Sequence, residues 1–286
     1  HYSRAEKEQL TGYHIGVGVL DSGIFPHEDL KDQIRAFRDF TNKYQLPYDE
    51  TGHGTHVCGI LAGNGRVLHG KYKGMAPCCD LYVGKILNKR GEGSLKTLLR
   101  GLQWLLSIAE SCNIRVINIS VSSIASASPE EQRKLYELFQ YAYENNILIV
   151  TAAGNFGPGD NTISRLGDTP YVICVGCHDG DLENGGLRCQ DCSGRGPGEN
   201  VWKKPDVVAP GTQIISCQAA YGKYVARSGT SMATPIVSGL LALAWEKYPY
   251  LNAMQLKRKL ILSATDLGES YLMQGAGMVD VEKMLS

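Results

Sequence analysis

The chain has 286 residues, of which 43% are hydrophobic and 20% are charged, a composition typical of a folded globular protein. Its 29 Lys and Arg residues balance 29 Asp and Glu residues, which argues against a function that needs a strong field toward nucleic acid or anionic lipid. The longest apolar stretch, residues 236–245, is far shorter than the roughly 20 residues of a membrane span. We therefore expect neither a nucleic-acid partner nor a membrane.

Short runs of Val, Ile and Leu alternate along the chain with longer amphipathic segments. The runs predict buried strands at 15–20, 80–86, 116–119, 148–152 and 172–175. The longer segments predict helices at 97–110, 129–145 and 231–245. This alternation predicts an α/β fold, in which helices cover both faces of a mostly parallel, twisted sheet. The sequence shows no internal repeat and no linker, so residues 1–286 are predicted to form a single domain.

Two helix starts carry capping signals. Ser128 is followed by Pro129 and, three positions on, by Glu131, which is the pattern of a capping box with proline in the first turn. Asn252 stands in the same relation to Gln255. Both pairs predict the N-terminus of a helix.

Small or polar residues follow several of the predicted strands. They occupy positions 21–23, 118–120 and 152–155. Because loops at the carboxyl ends of parallel strands form the ligand crevice of an open α/β sheet, these residues are predicted to share one site.

Three segments supply the groups of nucleophilic catalysis. Segments 19–23, 52–57 and 228–235 contain Asp21, His53 and Ser231 in turn. A serine hydroxyl keeps its proton at neutral pH and needs an adjacent base, and the base needs a partner that fixes its tautomer. Each residue alone is more often structural, but together they fill all three roles.

The chain resembles the subtilisin-like serine protease family (subtilases) from about residue 16 to about residue 264. Each triad segment is a signature of that family, and the chain order of aspartate, histidine and serine is also that of subtilisin. Further matches lie between the triad segments, at 74–77, 116–120, 152–155 and 204–211. The residues at 71–74 and 114–118 are closer to bacterial intracellular-type subtilases than to secreted ones.

The resemblance implies a doubly wound, three-layer fold and a serine endopeptidase that hydrolyses polypeptides through a Ser231 acyl-enzyme. His53 is then the general base and acid, and Asp21 orients it. Asn155 and the backbone N–H of Ser231 are expected to form the oxyanion hole, since Asn155 follows a buried strand and Ser231 opens a predicted helix. His56 is expected to be a packing residue.

Family members bind an extended substrate strand between two enzyme segments, which correspond here to Gly91–Gly93 and Ser120–Ser122. By resemblance, Leu95, Leu98 and Val121 line an apolar pocket for the fourth residue before the cleaved bond. We therefore expect a hydrophobic preference at that position.

The residue just before the cut is expected to enter a second pocket. By resemblance this pocket involves Ala152, Gly154 and Ser164, and Ser122 adds a side chain where many relatives have glycine. No acidic residue matches a position that would pair with Lys or Arg, so a neutral, medium-sized side chain is predicted there. Asp49 and Glu50 are the acidic residues nearest to the histidine segment.

Nine cysteines leave at least one thiol unpaired, which favours a reducing compartment and a cytoplasmic enzyme over a secreted one. Cys174 and Cys177 form one CxxC pair, and Cys189 and Cys192 form another. Two such pairs resemble a zinc site, but residues three apart in a strand point to opposite faces. The leading expectation is that these cysteines are buried small residues, with a zinc site and a disulfide or redox role as alternatives.

No cofactor is expected to be required, and no metal ligand is assigned. Structural calcium is common in the family, and Asp29 lies where one carboxylate ligand is often found. The loop at 64–73 lacks the cluster of Asp and Asn side chains that a hard cation prefers. The start at His1 is interpreted as a processed or trimmed end, with an inhibitory N-terminal propeptide as a partner besides the peptide or protein substrate.

Two other functions stay open on the sequence alone. One is a zinc-dependent hydrolase or zinc-binding module built on His53 and His56 or on the CxxC pairs, although no HExxH motif is present. The other is a relative that binds peptides without cutting them, which the complete triad and Asn155 disfavour.

Overall fold

A computed structural model describes residues 3–42, 44–121, 124, 128–179, 188–199 and 202–286. Its strands are β1 Gly16–Asp21, β2 Ile34–Asp39, β3 Asp80–Lys85, β4 Ile114–Ile119, β5 Leu148–Ala152, β6 Val172–Cys177, β7 Val207–Ala209, β8 Ile214–Cys217 and β9 Tyr224–Arg227. Its helices are α1 Ser3–Lys7, α2 His53–Ala62, α3 Leu95–Ile108, α4 Pro129–Glu144, α5 Cys189–Cys192, α6 Thr230–Lys247, α7 Ala253–Ser263, α8 Tyr271–Gln274 and α9 Val281–Met284.

Seven strands form one parallel sheet in the order β2-β3-β1-β4-β5-β6-β7. Strand β1 lies between β3 and β4: the chain first forms the edge strand β2, returns to form β3 beside β1, and then crosses to the other side of β1. A ligand crevice is expected at such a reversal of strand order, at the carboxyl ends of the strands. The predicted α/β fold with a mostly parallel sheet is confirmed.

Helices cover both faces of this sheet. On one face, α2 and α6 bury their apolar side chains against β1, β4, β5 and β6, with Val17, Val19 and Val150 among the buried strand residues. On the other, α3 and α4 pack against the side chains that point the opposite way, such as Leu20 and Ile117. Because both faces are covered, the inner strands are almost wholly apolar.

The predicted elements are all present, with shifts of one or two residues at most ends. Ser128 accepts a hydrogen bond from the N–H of Glu131, and Asn252 accepts one from the N–H of Gln255, so both capping boxes are formed. Strands β2 and β7 were not predicted from the sequence. Strand β2 is a charged edge strand with Arg35, Arg38 and Asp39, and β7 has only three residues, so neither shows a usable hydrophobic period.

Strands β8 and β9 form a separate antiparallel pair that packs against α2. Within the described residues, no helix combines the length and the apolar composition that crossing a bilayer requires.

The two CxxC pairs contribute one cysteine each to a disulfide between Cys177 and Cys189. The end of β6 and the start of α5 bring their Cα atoms to 5.8 Å, within the usual range for a disulfide. The expectation that these two cysteines are merely buried small residues is therefore wrong, and so is the zinc alternative for the pairs. Cys174 is a buried free thiol, as expected, and Cys192 is also unpaired.

Candidate active site

The carboxylate of Asp21 and the imidazole of His53 are hydrogen-bonded across the carboxyl edge of the sheet. Asp21 ends β1 and is fully buried, and His53 opens α2. The Nδ1 atom of His53 lies 2.7 Å from Oδ1 of Asp21. Oδ1 also accepts the N–H of Ser22 at 2.6 Å. The ring nitrogen Nδ1 therefore carries the proton, which leaves Nε2 as the basic atom.

Glycine at position 54 allows the close approach of α2 to the strand end. A Cβ atom there would lie 2.2 Å from the carbonyl oxygen of Gly23, a distance that no real structure tolerates. Gly52 precedes the helix in the left-handed conformation, with φ of 71°. The two glycines that flank His53 are thus steric requirements of the site.

Two effects act in opposite directions on the pKa of His53. Burial of the ring lowers the pKa, while the charge of Asp21 and the hydrogen bond to it raise it. Arg227 lowers it and Asp49 raises it more weakly. The balance raises the pKa above its ordinary value, because the carboxylates outweigh the loss of solvation.

Ser231 lies in the first turn of α6 and is nearly buried. Its hydroxyl donates to the carbonyl oxygen of Ser120 at 2.8 Å. Both residues lie in the part of the chain that the structure describes, and there the hydroxyl makes no hydrogen bond to His53. Rotation about one bond redirects a serine hydroxyl, and catalytic hydrogen bonds commonly form only when substrate is bound.

Asn155 lies three residues beyond β5 and faces the start of α6. Its side-chain oxygen accepts the backbone N–H of Thr230 at 3.0 Å and the Thr230 hydroxyl at 3.1 Å. These two bonds fix the amide so that Nδ2 points away from Thr230, and the residue is exposed. An N–H donor and the N-terminus of α6 therefore face the same side of the site.

The first predicted substrate segment is an irregular edge beyond β3. Gly93 forms an antiparallel bridge with Leu87, and Gly91 is in the left-handed region with φ of 76°. Leu95 and Leu98 are buried at the start of α3. The structure thus places the predicted pocket residues on one helix directly after the segment.

The second predicted segment follows β4. Ser120 and Val121 are buried there, and Val121 packs in the same apolar cluster as Leu95 and Leu98. Ser122 lies outside the described residues.

The residues predicted for the pocket before the cut lie together after β5. Ala152 ends the strand, and the Ser164 hydroxyl donates to its carbonyl oxygen at 2.8 Å. Gly154 has φ of 99°, and a Cβ atom there would lie 3.4 Å from Cβ of Ser164. Among the described residues, these three small residues therefore lie side by side and can line one pocket.

His56 does not point into the site. Its Nε2 lies 3.0 Å from the carbonyl oxygens of both Ile214 and Val225, so it joins α2 to the β8–β9 pair. Burial lowers the pKa of His56 to about 4. Among the described residues, neither His53 nor His56 belongs to a group of three or more side chains that could hold a metal ion, which argues against the zinc hydrolase built on these two residues.

Of two buried charged residues near the site, sequence reasoning missed Lys85 and noted Asp49 only as an acidic residue close to the histidine segment. Lys85 is fully buried, and its amine donates to the carbonyl oxygens of Ser22 at 2.7 Å and of Leu87 at 2.8 Å and lies 3.4 Å from the carboxylate of Glu50. Asp49 is buried beside Ser22. A carboxylate shortly before a helix start is the one sequence signal that could have drawn attention to Asp49.

Asp29 does not fit the calcium site that the family resemblance implies. One carboxylate oxygen accepts the N–H of Val67 at 2.9 Å and the other accepts the hydroxyl of Tyr224 at 2.6 Å. His27 and Cys217 lie within reach of the same point. The His27 ring already accepts the N–H of Asp29 and contacts the carbonyl of Lys223, so its nitrogens are engaged as well.

Comparison with known proteins places these observations in a family. A family model described as the subtilase family matches residues 12–279. Serine protease AprX of Bacillus subtilis is 35% identical over 96% of this chain and 67% of its own length. An intracellular serine protease of Paenibacillus polymyxa is 33% identical over 95% of this chain and 80% of its own. Among solved structures, that of Sphericase matches with a TM-score of 0.82 and 31% identity, over 95% of this chain and 92% of the other.

Proposed function

Since the chain belongs to the subtilase family and is a serine endopeptidase that acts on peptide or protein substrates, we propose that Asp21, His53 and Ser231 are its catalytic triad. The observation that carries this assignment is the 2.7 Å bond from His53 Nδ1 to Asp21. It leaves Nε2 as the ring's basic atom, on the histidine of a subtilase signature segment.

Each group has a defined part in hydrolysis. The Ser231 hydroxyl turns from the Ser120 carbonyl, its oxygen attacks the scissile carbonyl carbon, and its proton passes to His53 Nε2. Asp21 stabilises the imidazolium that results. His53 then gives the proton to the leaving amine, and an acyl-enzyme on Ser231 remains. Water repeats the sequence with His53 as base and releases the second product.

Negative charge develops on the carbonyl oxygen during both attacks. Asn155 Nδ2 and the N–H of Ser231 donate to it, and the N-terminus of α6 adds a favourable field. The bonds from Thr230 to Asn155 Oδ1 support this role, because they hold the amide in the orientation that presents Nδ2.

Labelling with a serine-directed phosphonofluoridate tests the triad. One label per chain, located on Ser231, should abolish peptidase activity, and chelators should not protect against it. Ser231→Ala and His53→Ala should each remove most activity, and the double variant should be little worse because the residues act as one unit. Near-native turnover by Ser231→Ala would contradict the assignment.

The two segments that flank the substrate strand are expected to select substrates with neutral side chains near the cleaved bond. An apolar fourth residue before the cut would pack on Leu95 and Val121, which are 5% and 6% exposed, above the fully buried Leu98, and burying a Leu or Phe there contributes about 1–3 kcal/mol. The substrate strand lies between Gly91 and Gly93 on one side and Ser120 and Ser122 on the other. At the residue just before the cut, the pocket formed by Ala152, Gly154 and Ser164 favours a neutral side chain of medium size.

A peptide-library profile measures both preferences. Strong selection of Arg or Lys just before the cut would overturn this specificity. Glu50 would then be the first residue to replace, since Asp49 is buried under hydrogen bonds.

An N-terminal propeptide is a further partner, as the family resemblance implies, and acts as an inhibitor of the mature enzyme. Expression of the native reading frame with Ser231→Ala should leave a longer, uncleaved chain. Removal of the propeptide in that variant would exclude self-processing.

The location proposed is the cytoplasm. It is supported by the relative described as intracellular and by seven unpaired cysteines in the described residues, whereas the Cys177–Cys189 disulfide argues for an oxidising compartment. Thiol labelling of the protein as extracted from cells decides between the two.

A further inference from the structure

Asp49 is a buried carboxylate that no step of the mechanism uses. Its Oδ1 accepts the hydroxyl of Ser22 at 2.8 Å and the backbone N–H groups of Gly52 at 2.9 Å and Thr51 at 3.2 Å. Its Oδ2 accepts the N–H of Thr55 at 2.8 Å and the hydroxyl of Thr55 at 2.7 Å. The donors come from two parts of the active site, the turn after β1 and residues 51–55, and Oδ1 accepts from both.

Ser22 links this carboxylate to the turn after β1. Its hydroxyl donates to Asp49 and accepts the N–H of Gly54 at 2.9 Å, while its own N–H donates to Asp21 Oδ1 at 2.6 Å. The backbone of Asp49 also forms an antiparallel bridge with Gly23. The chain of bonds therefore runs from Asp21 through Ser22 to Asp49 and on to the helix that begins at His53.

The first turn of α2 depends on the same carboxylate. The N-terminal N–H groups of a helix have no partners within the helix, and the N-cap Gly52 has no side chain to supply one. Asp49 accepts the N–H of Thr55 and that of Gly52 itself, and Thr55 in turn accepts the N–H of Phe25 at 2.9 Å. Asp49 thus acts as a remote cap that also binds the turn carrying Asp21.

We propose that Asp49 is a positioning residue for hydrolysis, which locks the turn bearing Asp21 to the helix bearing His53 so that their bond exists before substrate arrives. The proposal rests on the proposed triad. A misplacement of about 1 Å in such a pair can lower turnover about 10²-fold, so the lock is worth a large part of the rate.

The charge of Asp49 reaches His53 as well. The ring is faced by Asp21 and Asp49, which raise its pKa, and by Arg227, which lowers it. His56 lies one turn further along α2, and the Glu50–Lys85 pair lies beyond Asp49. Removal of the Asp49 charge alone therefore lowers the pKa of His53.

Asp49→Asn is the decisive variant. The new amide keeps one acceptor and turns an NH2 group either toward the Thr55 donors or toward the donors of Ser22, Thr51 and Gly52, so one of the two sets of bonds is lost. With rates expressed per active site titrated by the phosphonofluoridate, kcat should fall about 10-fold to 10²-fold with little change in KM. The midpoint of the kcat/KM profile should move to lower pH.

Glu110→Gln is the control. It removes the charge of an exposed carboxylate that accepts none of these bonds, and it should leave kcat and the midpoint close to wild type. Ser22→Ala removes the bridging hydroxyl without removing a charge. It should lower kcat with the midpoint unchanged, and it keeps the test valid if Asp49→Asn does not fold.

A purely structural role predicts a different result. In that case Asp49→Asn and Ser22→Ala would lower the melting temperature and the titrated fraction, but each titrated site would turn over at the wild-type rate with the wild-type midpoint. That outcome overturns the proposal. Wild-type turnover by Ser231→Ala would instead refute the triad, so the two failures are distinguishable.

Discussion

At the scale of single residues, the raised pKa of His53 controls when the enzyme is active. The ring must be neutral at Nε2 to accept the serine proton, so kcat/KM should rise with pH through the pKa of the free enzyme. Because the carboxylates outweigh burial, we expect the midpoint above the ordinary imidazole value of 6.5.

Arg227 provides an internal check on the sign of this shift. Its positive charge lowers the pKa of His53, so Arg227→Gln should move the midpoint further up. A pH profile of kcat/KM with a small peptide substrate measures both values. A wild-type midpoint below 6.5 would show that burial dominates.

His56 makes the folded protein sensitive to acid for a separate reason. Its pKa is lowered to about 4 by burial, whereas the unfolded chain binds the proton near 6.5. The unfolded state therefore holds more protons between these values, and stability should fall as the pH drops from about 6.5 to about 4, by on the order of 3 kcal/mol.

His56→Gln isolates this effect, because the amide still donates to the carbonyls of Ile214 and Val225 but does not titrate. Urea unfolding across that pH window should show a shallower loss in the variant. Equal slopes in the two proteins would contradict the assignment.

The triad residues were predictable from the sequence, whereas Asp49 was not. Asp21, His53 and Ser231 each lie in a distinctive segment, and their chemistry needs only those residue types. The role of Asp49 arises from donors contributed by two parts of the chain, Ser22 on one side and residues 51–55 on the other. No local pattern encodes such a convergence.

At the scale of elements, the Cys177–Cys189 disulfide ties the end of β6 to the start of α5. It closes a loop with a sequence separation of 12, and the chain-entropy argument gives about 3 kcal/mol for a loop of that size. Cys177→Ser should therefore lower the free energy of unfolding by about that amount, measured by urea denaturation without reductant.

Cys78→Ser serves as the control, since Cys78 is exposed and unpaired. It should leave the unfolding curve unchanged. A strong dithiol reductant should bring the wild type to the stability of Cys177→Ser, and no effect of the reductant would mean that the disulfide contributes nothing.

The pattern of hydrophobic residues predicted the inner elements better than the outer ones. Strand β5 was predicted at its observed bounds, because a short apolar run that directly follows a helix and ends before Gly154 has few alternatives. The disulfide was left as a minor alternative, because spacing shows neither that α5 forms nor that it approaches β6. Such proximity is a tertiary property.

At the scale of the whole molecule, stability should not depend on calcium. The carboxylate of Asp29 binds the N–H of Val67 and the hydroxyl of Tyr224, two protein donors where a cation would otherwise lie. We expect the melting temperature to be the same with EDTA and with added calcium, as followed by calorimetry.

Tyr224→Phe sharpens this test. It removes one donor from a buried carboxylate and should lower the melting temperature in either buffer. A wild-type melting temperature that falls in EDTA and recovers with calcium would show that a cation binds elsewhere or displaces these bonds.

The place of α6 has a consequence for the timing of activity during synthesis. This helix carries Ser231 and completes the core against β4, β5, β6 and α2, all of which precede it in the chain. At a translation rate of about 5–20 residues per second, Asp21 is made roughly 10–40 s before Ser231. The nucleophile and the helix that completes this face of the core are thus made after Asp21, His53 and the elements that carry them, so a nascent chain has no nucleophile for His53 to activate until α6 has been synthesised.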